Sequence, residues 1–86
     1  MAESALLDRP AIPLAKAPMG RPATVVGFTA LGDSELARLA GLGLRAGSRI
    51  TKLLKTPFRD PVECLVGPQL LAIEAWLLER IQVAVE

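Results

Sequence analysis

The side chains able to do chemistry in this chain are nine carboxylates, one thiol at Cys64, and hydroxyls at Ser4, Thr24, Thr29, Ser34, Ser48, Thr51 and Thr56. There is no histidine and no tyrosine. A histidine-dependent triad therefore cannot form within the chain, and a single cysteine supplies neither a disulfide nor a Cys/His zinc site. Asp33 and Glu35 stand at the start of a helical pattern, where acids cap the first turn and complement its dipole. Asp60 precedes Pro61, a pair suited to a turn whose carboxylate accepts nearby backbone N–H groups. Cys64 alternates with Val62 and Val66, so strand parity turns it toward the core, where burial raises a thiol pKa and makes the group inert. The residues predict no catalytic group, no cofactor and no tight metal site, with at most weak lodging of a cation at exposed acids.

Charge distribution is more informative than charge total. Ten bases against nine acids give a formal +1, too balanced for a protein that lives on attraction to nucleic-acid phosphates. Yet Arg38, Arg45, Arg49, Lys52, Lys55 and Arg59 follow one another with no acid between Leu36 and Arg59. The segment from Asp60 to Glu86 inverts this balance, with Arg80 its only base. A run of this kind is either a solvated wall or a polarised surface that steers an acidic partner. Those six bases, with Trp76 as a candidate apolar anchor, form the predicted partner-binding set.

The elements that must position these groups follow from pattern. A chain of 86 residues holds one small domain with a mostly aliphatic core. Residues 1–13 read as a loosely ordered arm and residues 14–86 as the folded domain, with prolines at 10, 13, 18 and 22 breaking any early period. Ala23 to Thr29 is β-branched and aromatic, with Gly27 marking a bulge or close approach. Asp33 or Ser34 caps a helix over Ser34 to Leu42, and Gly43 followed by Leu44 stops it with a left-handed cap. Ser48 to Lys55 reads as a strand with an irregularity near Leu53 and Leu54, and Pro57 to Pro61 as a connection. Val62 to Val66 and Gln69 to Ile73 make a hairpin around Gly67-Pro68, Glu74 to Glu79 a helical turn, and Gln82 to Val85 a last strand. About five strands and one short helix describe a mainly β fold, a small barrel. No apolar run is long enough to span a membrane, and the opening residues have no signal-peptide pattern, so a cytoplasmic protein is expected.

The order of these signals resembles the FeoA family. The resemblance rests on Leu42-Gly43-Leu44-Arg45-Ala46-Gly47 after a leucine-rich helix, on Pro57-Phe58-Arg59-Asp60-Pro61 beyond it, and on Leu71-Ala72-Ile73 and Ile81-Gln82-Val83 at the close. It covers residues 14 to 85 and departs from the family pattern at Ala46, where proline is usual, and at Glu74, where arginine is. It implies a Src-homology-3-like barrel and a non-catalytic cytoplasmic accessory protein of bacterial ferrous iron uptake. The implied partner is the FeoB membrane GTPase permease, met on its cytoplasmic side. Nucleic acid is not an implied partner, insertion into the membrane is not implied, and self-association is left open. The alternative is a detached module related to the C-terminal barrel of iron-dependent repressors; no helix-turn-helix pattern argues for DNA reading by this chain.

Overall fold

The computed structural model describes residues 10–53 and 60–86. Residues 1–9 of the expected 1–13 arm, the far end of the predicted second strand and the Pro57-Phe58-Arg59 connection lie outside the described residues.

Six strands form one antiparallel sheet: β1 (Ile12–Pro13), β2 (Ala23–Phe28), β3 (Arg49–Lys52), β4 (Val62–Val66), β5 (Gln69–Ile73) and β6 (Ile81–Val85). The hydrogen-bonded order is β1-β6-β2-β3-β4-β5, so β1 and β5 are edges and the barrel is open between them. The strand beyond the expected number is β1, two residues whose Ile12 and Pro13 lie opposite Val83 and Gln82. Pro13 donates no ladder bond, which confines such a strand to an edge. The β2–β6 register shifts between Val25 and Gly27, placing the expected bulge beside Gly27.

Helix α1 spans Asp33–Gly41 and α2 spans Ala75–Leu78, with a 3-10 turn at Leu14–Lys16. The N-cap of α1 is Gly32 rather than Asp33 or Ser34, because the Glu35 carboxylate folds back to accept the Gly32 N–H at 3.1 Å. This is one half of a capping box. At the other end Gly43 has φ +91°, its N–H bonds Ala40 O, and Leu44 N–H bonds Leu39 O. These two bonds define a Schellman cap. Leu39 and Leu44, both buried, lie at the two positions whose apolar contact accompanies that motif.

The core draws on every strand from β2 to β6: Val25, Ile50, Cys64, Val66, Ile73, Ile81 and Val83 join Leu14, Leu39, Leu44, Leu77 and Leu78. A single sheet feeding one cluster from so many strands has to wrap around it. Burial of each large aliphatic side chain contributes about 1.5–3 kcal/mol, which sets the core above any single polar contact at the surface.

Candidate interaction surface

Strand parity decides which of the basic side chains reach solvent. Arg49 and Thr51 point outward from β3, whereas Ile50 and Lys52 point inward. Lys52 is only 6% exposed, so it departs from the expected cationic wall. Its ammonium donates to Ala15 O at 3.1 Å, and its own carbonyl accepts the Gly20 N–H at 2.6 Å. The residue thus straps the lead-in segment onto the sheet. Burial holds the Lys52 pKa below its ordinary value, with the neighbouring Cys64 acting in the opposite sense. Cys64 lies across from Lys52 in the β3–β4 register and is fully buried, as its parity predicts. Burial pushes its thiol up to about 11, partly offset by Lys52.

Arg38 lies in the last turn of α1 and Arg45 in the loop after the Schellman cap, both exposed. Neither forms an ion pair among the described residues. Arg45 contributes its backbone N–H to Ser48 Oγ at 3.1 Å, and the same hydroxyl donates to Gly43 O at 2.6 Å, which fixes the loop. Arg49 is already paired, its guanidinium 2.9 Å from Glu86 Oε1. Lys55 and Arg59 lie outside the described residues. Trp76 is 43% exposed on α2, while its neighbours Leu77 and Leu78 are buried. Trp76 therefore does not fill the core, and its indole is open to solvent.

Two contributors carry no mark in the sequence. Arg21 donates to Glu86 O, a contact made across 65 positions. Gln69 Nε2 donates to Leu42 O at 2.7 Å, joining the start of β5 to the end of α1. Near these residues lie two shallow hollows. One, about 440 Å³, is lined by Pro22, Arg49, Thr51, Leu65 and Gly67. The other, about 220 Å³, shares Arg49 and Gly67 and extends past Val66 and Pro68 to Gln69. Among the described residues no three His, Cys, Asp or Glu side chains converge as a metal cluster would, and no helix is long and apolar enough to cross a membrane.

A rolled antiparallel sheet with one substantial helix defines a small Src-homology-3-like fold. The FeoA domain profile matches residues 12–85, and the chain belongs to the FeoA family. The solved FeoA protein of Chlorobium tepidum is 28% identical, with a TM-score of 0.77 over 86% of this chain and 70% of that one. The zinc-complexed FeoA of Stenotrophomonas maltophilia, described as a procaryotic SH3 domain protein, shares the fold at 24% identity and TM-score 0.65, covering 85% of this chain and 87% of that one. The IdeR of T. acidophilum also shares it, at 22% identity and TM-score 0.75, over 88% of this chain but 34% of the repressor. No curated protein matches the chain.

Proposed function

We propose that the protein is a non-catalytic accessory factor of ferrous iron uptake, acting in the cytoplasm by docking on a FeoB-type membrane GTPase permease. The observation that carries this reading is the match to the FeoA domain across residues 12–85. The side-chain inventory supports it. The one thiol is buried and held protonated, and Asp60 is engaged by a backbone N–H. What remains at the surface is suited to recognition: Arg38 and Arg45 are exposed cations without an ion pair among the described residues, and Trp76 offers apolar area. Exposed arginines of this kind raise the rate and fix the orientation of encounter with an acidic face. The full docking set under this reading is Arg38, Arg45, Arg49, Lys55, Arg59 and Trp76, with Lys52 serving the fold that presents them.

The test is association of the chain with the soluble GTPase part of the permease, measured at low and at physiological salt. Binding that weakens with salt and with Arg38→Glu or Arg45→Glu supports arginine-led docking. No association at either salt overturns the reading. The fold shared with IdeR favours a second reading, a detached repressor-type module; binding to a repressor's remaining domains, with none to the GTPase, would establish it instead.

A further inference from the structure

Glu86 is held at three points. Its N–H bonds Pro22 O at 3.1 Å, its carbonyl accepts from Arg21, and its carboxylate pairs with Arg49 at 2.9 Å. This places one acidic residue, at the end of an extended strand, against the Pro22 side of the larger hollow. Among the described residues no acid lines either hollow, and the two adjoin in a groove at Arg49 and Gly67, which line both. Its walls are apolar at Pro22, Leu65 and Pro68, and Thr51 offers a hydroxyl, whereas Ser48 Oγ and Gln69 Nε2 already bond Gly43 O and Leu42 O.

We infer that this groove is a docking site for an extended acidic segment of a partner protein, in which a partner carboxylate replaces Glu86 on Arg49 while flanking apolar side chains lie against Leu65 and Pro22. The inference rests on the docking reading for the partner's identity, and on this surface for its chemistry. Charge complementarity selects the occupant: the groove presents Arg49, with Arg21 at its margin, and among the described residues the carboxylate that meets them is that of Glu86. A nucleic-acid strand would want stacking platforms, and among the described residues no aromatic side chain lines either hollow. The exchange costs little, because the Arg49 and Glu86 side chains are 63% and 39% exposed and such surface pairs are weak. Glu86 therefore acts as an internal competitor that sets a threshold for binding.

The probe is an acetylated and amidated Asp-Leu-Asp-Leu-Glu peptide, compared with its Asn/Gln counterpart by amide NMR titration of the full chain. The acidic peptide is expected to shift the amides of Arg49, Thr51, Leu65 and Gly67. E86Q should tighten binding by up to about fivefold, the ceiling for releasing one exposed ion pair. R49E should weaken it at least about tenfold, and R21Q serves as a milder variant should R49E show a collapsed spectrum. Equal binding of both peptides, shifts gathered around Trp76, or an E86Q variant no tighter than wild type overturns the inference. If the GTPase part binds the chain and the acidic peptide fails to bind the groove, this inference falls and the docking reading stands. If the peptide binds the groove and the GTPase part does not bind the chain, the reverse holds.

Discussion

The Asp60 carboxylate accepts the Ala75 backbone N–H at 2.8 Å, tying the residue that leads into β4 to the first turn of the helix that carries Trp76. The bond spans 15 positions and satisfies a donor that the short helix leaves without an internal partner. Tryptophan presentation thus depends on a residue outside the proposed docking set.

Asp60→Ala should therefore lower stability by about 0.5–2 kcal/mol, the range for loss of a capping side chain. Trp76 fluorescence should shift in the folded variant, and Asp60→Asn, which keeps an acceptor oxygen, should recover part of both. Denaturant titration followed by emission measures the two together. An unchanged midpoint in Asp60→Ala would remove the capping role.

Arg45→Glu and Arg38→Glu are expected to leave stability within about 0.5 kcal/mol, since both side chains are exposed and without an ion pair among the described residues. Lys52→Glu should instead cost more than about 3 kcal/mol by placing an unpaired charge in the interior opposite Ala15 O. Thermal melts of the three variants separate residues that dock from the one that folds. Any partner binding lost in Lys52→Glu reports unfolding.

Glycine substitutions should rank by backbone rather than by space. At Gly43 an added Cβ would sit 3.4 Å from Gln69 Nε2, an ordinary contact, but φ is +91°. Gly43→Ala should cost about 1–2 kcal/mol from the left-handed conformation alone. Gly27→Ala, with open space and no positive φ, should be much milder. Chemical denaturation that ranks them the other way would reject the capping account of α1.

The Cys64 thiol gives a pH signature. Its folded pKa, about 11, lies above the ordinary 9.0, so the folded state keeps a proton that the unfolded chain releases. The stability this contributes is present in full below pH 9 and is lost as pH rises toward 11. The ceiling for two units is about 2–3 kcal/mol. Lys52, with its pKa lowered, works in the opposite sense, gaining stability as pH rises toward its ordinary 10.5. Comparing wild type with Cys64→Ala cancels most of the lysine contribution: the wild-type advantage should shrink between pH 8 and 11. Thiol labelling of the native protein should also be far slower than of the denatured chain.

Elements whose signals are local were legible in the sequence. Helix α1 shows acids at its start, leucines on one face and a glycine stop, and the observed Asp33–Gly41 lies within one residue of the expected span at each end. The β4–β5 hairpin is equally local, turning at Gly67 with φ +58°. Strand β1 was not legible, because its pairing with Val83 depends on residues far along the chain and Pro13 argues against a strand. Lys52 is instructive: charge argues exposure, whereas shared parity with Ile50 argues burial. Parity prevails because Ala15 O meets the ammonium. For the interaction surface, the exposure of Arg38 and Arg45 could be read from position, but the pairing of Arg49 with Glu86 could not. That contact joins residues 37 positions apart that β2 brings together by pairing with both β3 and β6.

The strand order also dictates when the molecule can fold. β6, last in sequence, is inserted between β1 and β2, so Ala23 waits for Val85 and Ile12 waits for Val83. A nascent chain can form α1 and the β4–β5 hairpin as it emerges, but Val25 has no ladder partner in β6 until Val83 has cleared the ribosome. Productive folding thus waits for residues 81–85, and pairings of such long separation slow it further. Until then the half of the core beneath β6 stays open to water, and to chaperones that bind exposed aliphatic surface.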